Sequence, residues 1–347
     1  MLKRLILSVT SVFIALSAHG QWNDQFPQFS EFTNAYDVAV LSERQILLAG
    51  DYRQGLTTQA KIMKSEDGGS SFRSVLTIED AVFDAIAFKN EVVIATGVST
   101  DSEVLFAVSL NNGDDWEVTT VEGASGNYVS QSFMTDQIGV IATSLGMVLK
   151  TVDGGNSWQV LYQETIDLSS VKMISEEVIV MVSRDLKLYK TVDGGANWVM
   201  MQDLDRRLTT RPKLEVATET NFFLLADNEL YITETGGVTF YDRSFSTYRL
   251  NDIQFINGVI GYAVGTNNRG AGIIVTMDGG LSWQEAHNAG AGSFYYNALD
   301  IRDGFIYTAG FASFSFVAAL DGTPDITALI SGDRKSTRLN SSHQIIS

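Results

Sequence analysis

The octapeptide Thr-Val-Asp-Gly-Gly-Asn-Ser-Trp at residues 151–158 decides the fold, because near-copies of it recur along most of the chain. The other copies are SEDGGSSF at 65–72, SLNNGDDW at 109–116, TVDGGANW at 191–198, TETGGVTF at 233–240 and TMDGGLSW at 276–283. Their starts lie 40 to 44 residues apart, and one further step reaches a degenerate copy, Ala-Leu-Asp-Gly, at residues 319–322. A repeat of this length is typical of a propeller array.

Each copy reads Ser/Thr-x-Asp-x-Gly-x-x-Trp/Phe with few exceptions and lies between two short apolar runs, which predicts a β-hairpin with the motif at its turn. The Asp side chain can accept hydrogen bonds from turn N–H groups, and Gly155 supplies the positive φ that other residues resist. Trp158, the first large apolar residue after the turn, can bury roughly 200 Å² against a neighbouring repeat. We therefore predict a structural role for these motif residues.

The residues with that predicted structural role are Asp67, Asp153, Asp193 and Asp278; Gly69, Gly113, Gly155, Gly195, Gly237 and Gly280; and Phe72, Trp116, Trp158, Trp198, Phe240 and Trp283. Two copies have Asn111 or Thr235 in place of the Asp. Both replacements keep an oxygen acceptor without the charge, which favours hydrogen bonding over a metal-ligand role. One carboxylate per turn also falls short of the six to eight oxygens that calcium takes.

The spacing predicts an all-β chain, a seven-bladed β-propeller of four-stranded antiparallel blades in one domain at residues 21–331. Residues 21–33 carry Trp22 and three Phe but no copy of the motif. We expect the last blade to be truncated or to be closed by this N-terminal segment, with Trp22 on the outer strand of blade seven. Such closure would remove exposed sheet edges.

The motif copies resemble the Asp-box, or BNR, repeats of sialidase-like and photosystem II assembly factor-like β-propellers. Residues 261–265 (GYAVG) and 272–283 (GIIVTMDGGLSW) are most similar to the assembly factor family. The resemblance covers roughly residues 22–330 and implies the propeller fold, with boxes on one rim and ligands at the opposite mouth. It does not imply one activity, because such repeats serve hydrolases, receptors and assembly factors alike.

The two ends of the chain carry separate signals. Lys3 and Arg4 precede an apolar run at residues 5–18 and small residues near Gly20, so we expect a signal peptide at residues 1–20 and an exported protein, secreted, periplasmic or at the cell surface. Residues 333–343 are, codon for codon, the translation of a widely used sequencing-adapter oligonucleotide. We therefore expect residues 332–347 to be a read-through artefact that replaces a natural continuation, for which a type IX secretion sorting domain is one candidate.

The composition excludes several kinds of partner and catalytic or metal site. The chain has 24 Lys and Arg against 41 Asp and Glu, a formal net charge of −17, so its surface should repel nucleic acid. It has no Cys, which excludes disulfides, zinc-thiolate sites and a Cys nucleophile. Two of the three His lie in the expected signal peptide and artefact, and His287 alone cannot form a metal site or a catalytic triad.

The loops opposite the boxes are the expected ligand surface, because loops on a rigid scaffold carry function. They are residues 51–59, 203–211, 266–271, 287–296 and 311–316. Their aromatic and Arg side chains are of the kind that dominates protein interfaces. The candidate ligand-binding residues are Tyr52, Arg53, Arg206, Arg207, Arg211, Arg269, Tyr295, Tyr296, Phe311 and Phe314.

Two hydrolase hypotheses compete with simple binding. A sialidase needs three Arg, a Tyr–Glu nucleophile pair and an Asp acid, but the Phe-Arg-Ile-Pro signature of those enzymes is missing. A two-carboxylate glycosidase, like the xyloglucan-type propeller hydrolases, needs acids about 5–10 Å apart across a cleft. Sequence alone cannot choose such a pair.

We therefore predict an exported, non-catalytic binding or scaffold module with a protein or glycan partner and structural Asp boxes. The alternative is a glycoside hydrolase that uses carboxylates at the propeller mouth. We expect no cofactor, no metal, no nucleic-acid partner and no membrane insertion after signal cleavage, and a monomeric protein.

Overall fold

The computed structural model describes residues 21–25, 33–206, 208–227, 229–243, 248–288, 295–302, 305–311 and 317–321. Every regular element assigned within these ranges is a β-strand. The same ranges hold no helix with the length and hydropathy needed to cross a bilayer. The expected signal peptide and the expected artefact both lie outside the described residues, as do Arg207 and Phe314.

The first described strand is β1 (Gln21–Gln25), and six four-stranded blades follow. Blade 1 has β2 (Asn34–Val40), β3 (Ile46–Gln54), β4 (Thr57–Ser65) and β5 (Arg73–Glu79). Blade 2 has β6 (Ala81–Lys89), β7 (Val92–Ser99), β8 (Glu103–Ser109) and β9 (Glu117–Ser125). Blade 3 has β10 (Val129–Phe133), β11 (Gly139–Thr143), β12 (Met147–Thr151) and β13 (Gln159–Gln163).

Blade 4 has β14 (Leu168–Met173), β15 (Ile179–Ser183), β16 (Lys187–Thr191) and β17 (Val199–Asp203). Blade 5 has β18 (Lys213–Val216), β19 (Phe222–Ala226), β20 (Glu229–Thr233) and β21 (Tyr241–Asp242). Blade 6 has β22 (Arg249–Phe255), β23 (Gly261–Asn267), β24 (Gly270–Thr276) and β25 (Gln284–Asn288). Three further strands are β26 (Tyr295–Arg302), β27 (Phe305–Phe311) and β28 (Val317–Asp321).

Strands within each blade pair antiparallel in chain order. The strands that follow blade 6 form only part of such a sheet within the described residues. β26 pairs with β27, β27 forms one ladder pair with blade 1, Asn34 opposite Phe311, and β28 pairs antiparallel with β1. Trp22 lies opposite Leu320 in that last pair. Six complete blades and this partial seventh set of strands are therefore present.

Burial explains why the second strands run apolar instead of alternating. All five residues are buried in β11 (GVIAT), β15 (IVMVS) and β19 (FFLLA). A strand covered on both faces by neighbouring blades gains from apolar side chains at every position. The fourth strands lie at the outside, and β13 and β17 have no buried residue.

The Asp box ties its own turn together. Thr151 Oγ1 accepts the N–H of Gly155 at 2.8 Å, and Asp153 Oδ1 accepts the N–H of Ser157 at 2.9 Å. In five boxes the N–H of the fourth residue also donates to a carbonyl in the turn between the first and second strands of the same blade, as Gly154 does to Gln137 at 3.0 Å. Both turns of a blade therefore lie on one rim, which we call the box rim.

The second box glycine and the box aromatic residue lock each blade onto the preceding one. Trp158 packs edge-on against Phe106 of blade 2 with ring centroids 5.2 Å apart, and Trp198 packs against Tyr162 of blade 3 at 5.6 Å. Gly155 has φ 92°, and a Cβ there would lie 2.0 Å from the Phe106 ring. Glycine is required here both by the turn and by the neighbouring blade.

One repeated contact joins the first strands of successive blades: a side chain on one first strand accepts a backbone N–H of the next. Asp37 Oδ2 accepts from Ile86 at 2.9 Å, and Asp300 Oδ2 accepts from Val40 at 2.7 Å. The other acceptors and donors are Asp84 with Val129, Ser130 with Val171, Ser170 with Leu214, and Asp252 with Leu299. Lys213 joins β18 to β22 by an ion pair with Asp252 at 3.1 Å. Because Asp300 is on β26 and Val40 on β2, these contacts close a ring.

Candidate functional site

A cavity of about 770 Å³ lies inside this ring of first strands. Its lining comes from β2, β6, β10, β14, β18, β22 and β26, from the segments that lead into them, and from Arg53 of β3 and Val98 of β7. We call the end near the starts of these strands the mouth, lined by Tyr36, Arg53, Asn127, Tyr128 and Arg211. We call the end towards the box rim the box end, lined by Phe88, Lys89, Lys172, Glu215 and Arg302.

Arg53 is held at the mouth by a buried carboxylate. Its Nε donates to Asp51 Oδ2 at 2.7 Å, and its Nη2 donates to the Tyr36 hydroxyl at 3.2 Å. Asp51 is fully buried and also accepts from Asn34 Nδ2 at 2.6 Å and from the Tyr36 hydroxyl at 3.0 Å. Burial and the nearby Asp51 carboxylate raise the pKa of Tyr36, so its hydroxyl stays a donor. The network leaves the Arg53 side chain 55% exposed in a defined orientation.

Arg211 is held at the same mouth from another side of the ring. Its Nη1 donates to Asp167 Oδ1 at 2.7 Å and to the Leu168 carbonyl at 3.2 Å. Its guanidinium carbon lies 4.6 Å from the centroid of the Tyr128 ring, a cation–π contact. A planar guanidinium that is stacked and paired on one side can still present N–H donors to a ligand.

Comparison with known proteins agrees with this architecture. A sequence model described as photosynthesis system II assembly factor YCF48 matches residues 108–243. A solved structure of YCF48 bound to a D1 peptide superposes with a TM-score of 0.65 at 13% identity, covering 87% of this chain and 95% of that one. The chain is a BNR-like β-propeller similar to the photosystem II assembly factors.

The likeness to solved structures extends beyond the assembly factors. YCF48 from Cyanidioschyzon merolae has a TM-score of 0.61 at 14% identity over 85% of this chain and 98% of that one. The WD40 β-propeller domain of Doa1 has a TM-score of 0.57 at 12% identity over 86% and 97%. Identities this low establish the fold alone. A search of curated protein sequences gave no significant match.

Four carboxylates inside the cavity of this BNR-like propeller join neighbouring first strands of the ring. Asp37, Asp84, Asp252 and Asp300 each accept a backbone N–H from the next first strand. Burial raises the pKa of Asp37 and of Asp84 to about 7. Each group is engaged in packing neighbouring blades, so a role as the acid or nucleophile of a hydrolase would compete with its structural bonds.

Several expected ligand residues lie away from the cavity. Arg206 pairs with Glu229 at 2.6 Å and Arg269 pairs with Glu285, and both ion pairs lie outside the cavity lining. Tyr52 is half-buried, with Lys61 Nζ 5.3 Å from its ring centroid. The side chain of Phe311 lies outside the described residues. Of the expected Arg residues, Arg53 and Arg211 are the two that the described structure brings to one cavity.

Tyr296 requires a correction. The sequence placed it with Tyr295 at an exposed mouth, but Tyr296 is fully buried in an inter-blade core cluster, whereas Tyr295 is 48% exposed. Alternate residues of a strand face opposite sides, so only one of two neighbouring tyrosines can face solvent. Sequence reasoning also missed Tyr36 and Tyr128 at the mouth; the signal was an aromatic residue near the start of a first strand.

Proposed function

We propose that this BNR propeller is a non-catalytic module that binds an acidic segment of a partner protein at the mouth. The observation that carries the proposal is the pair of preorganised guanidinium groups, Arg53 and Arg211, at one cavity end. Side chains held by their own ion pairs lose little entropy when a ligand binds. The D1 peptide bound by the YCF48 structure shows that a propeller of this fold can bind a peptide.

Charge distribution supports an acidic ligand. The chain carries 24 Lys and Arg against 41 Asp and Glu, yet six cationic side chains line this one cavity. They are Arg53, Lys89, Lys172, Arg211, Lys213 and Arg302. Two of the acids that share the lining, Asp37 and Asp84, have pKa values near 7 and are only partly ionised at neutral pH. The cavity is therefore less negative than the rest of the surface.

Synthetic peptides test the proposal directly. We expect extended acidic peptides to bind the purified protein, and Arg53→Met or Arg211→Met to weaken binding by about tenfold or more. Arg269→Met is the matched control, because it removes an Arg–carboxylate pair outside the cavity. Fluorescence anisotropy gives the affinities. Absence of peptide binding, or equal weakening by Arg269→Met, would refute the proposal.

We further propose that the propeller has seven blades and that β1 completes the last one. Support comes from the two contacts that join β26 to β2, Asp300 to Val40 and Asn297 Nδ2 to the Ala35 carbonyl at 3.2 Å. The antiparallel pairing of β1 with β28 adds an outer strand where the sequence led us to expect Trp22. A chain whose first strand joins its last sheet closes the array without an open edge.

We also propose that the protein is exported after cleavage near Gly20. The support is the sequence of residues 1–20, with two basic residues before an apolar run and small residues after it. Mass spectrometry of the protein isolated from its native cells should find a mature N-terminus near Gln21 in an extracytoplasmic fraction. An intact Met1 in the cytoplasmic fraction would refute the export proposal.

A further inference from the structure

The box end of the cavity carries three cations that lie away from the two Arg side chains proposed to hold the peptide at the mouth. Lys89 is the last residue of β6, Arg302 is the last residue of β26, and Lys172 lies near the end of β14. All three side chains line the cavity. Arg53 and Arg211 lie at the mouth, near the starts of the first strands, so the two sets are separated along the cavity.

The two described acids at the box end, Glu215 and Asp300, already have partners. Glu215 pairs with Lys172 at 2.7 Å. The Asp300 carboxylate accepts the N–H groups of Val40 and Ile301 and the Gln254 amide. Lys89 makes no hydrogen bond or ion pair with any residue that the structure describes.

The surroundings of Lys89 place its ammonium group in the partly closed box end of the cavity. Lys89 is half-buried and lines the cavity. The Arg302 guanidinium carbon is 4.4 Å from the centroid of the Phe88 ring, which keeps it on the same side of the cavity. Burial and the positive charge of Lys172 lower the pKa of Lys89. A bound anion would favour the charged form of Lys89 and so oppose both effects.

We propose that the box end binds a small oxyanion, a phosphate or sulfate group, between Lys89, Lys172 and Arg302. Ammonium groups supply point charges and the guanidinium supplies a planar fork of donors, the combination that oxyanions with several acceptor oxygens require. Binding at this end does not depend on the peptide site proposed for the mouth.

Calorimetry with the full-length protein at low ionic strength tests the site with inorganic phosphate and sulfate as probes. We expect saturable binding with one site per chain, weakened about tenfold or more by Lys89→Met. Lys187→Met is the matched control, because Lys187 pairs with Asp185 outside the cavity and its loss changes net charge equally. The melting temperature of each variant reports whether it is folded, and Lys89→Gln provides a second substitution at the same position.

Absence of saturable binding by the wild-type protein would overturn the proposal, and so would equal weakening by Lys187→Met. Arg53→Met at the mouth should leave phosphate affinity unchanged, which separates this site from the peptide site. Glycerol phosphate distinguishes the source of the group. If it binds as well as inorganic phosphate, the site accepts a phosphate ester; if it does not, the site takes the free ion.

Discussion

At the scale of single residues, the hydroxyl of the first residue of each box contributes as much to the hydrogen bonding of the turn as the Asp carboxylate does. Thr151 is buried, its Oγ1 accepts the N–H groups of Asp153 and Gly155 at 3.3 and 2.8 Å, and it donates to Asp153 Oδ1 at 2.8 Å. Ser or Thr stands at this position in all six full copies of the motif. The Ser or Thr at the first position of the motif therefore marks a hydroxyl that makes three hydrogen bonds within the turn.

Thr151→Val should lower the free energy of unfolding by about 1–3 kcal/mol, because it leaves two partly buried N–H groups without an acceptor at nearly unchanged volume. Urea unfolding measures the change. Thr120→Val on the exposed edge strand β9 is the control and should change stability little. Equal stability of the two variants would contradict the proposed role of the hydroxyl.

Protonation of Asp193 should make the free energy of unfolding depend on pH in the acidic range. Hydrogen bonds from the Asn197 side chain, then its backbone N–H, and from Thr191 lower the pKa of Asp193 from 3.8 to about 2. The folded-state pKa lies below the unfolded one, so the stabilisation is complete above about pH 4 and is lost as pH falls through about 2. Asp193→Asn should reduce the pH dependence of the unfolding free energy in that window, measured by denaturant unfolding from pH 5 to pH 2. An unchanged slope would contradict this prediction.

At the scale of elements, each hairpin turn is shaped by the blade before it. Gly155 takes a positive φ for its own turn and also lies against Phe106 of blade 2. The second box glycine of blade 4 repeats the arrangement, because a Cβ at Gly195 would lie 2.9 Å from Leu161 of blade 3. A turn motif therefore also sets the distance between neighbouring sheets.

Gly155→Ala should destabilise the protein more than Gly55→Ala, by about 1–3 kcal/mol. Both glycines have positive φ, 92° and 64°, so both substitutions strain the backbone. A Cβ at Gly155 would meet the Phe106 ring, whereas nothing lies within 4 Å of one at Gly55. The difference between the two variants in thermal unfolding isolates the inter-blade contact. Equal destabilisation would show that the turn alone requires glycine.

At the scale of the whole molecule, closure of the ring decides stability. The contacts between first strands run from β2 round to β26 and back to β2, so every blade is supported on both sides. A closed array leaves no exposed sheet face at either end of the repeat. The outer pair of β1 and β28 is a further link between the two ends of the described chain.

Removal of residues 21–25 should lower the melting temperature and increase aggregation, because β28 loses its partner and exposes an edge. Scanning calorimetry and size-exclusion chromatography compare this variant with the chain that begins at Gln21. Substitution of the same five residues by a Gly/Ser linker keeps the length and should reproduce the loss. Identical melting of all three proteins would show that the N-terminal strand does not complete a blade.

The sequence by itself determined the repeat and the turn. The box bonds, from Thr151 to Gly155 and from Asp153 to Ser157, span at most four residues, so local chemistry dictates them wherever the motif occurs. The box glycines and the apolar second strands could likewise be predicted, because a positive φ and burial on both faces each leave a residue-level signature.

The tertiary structure alone decided the candidate site. Arg53, Arg211 and Arg269 are alike in sequence, yet two reach the cavity and one pairs at the outside, because ring closure sets which loop faces the axis. Tyr295 is exposed to solvent and Tyr296 is buried in the core, because strand register allows only one of two neighbouring residues to point outward. These positions depend on contacts between blades, which join residues about forty or more apart in sequence. No local sequence pattern predicts such contacts.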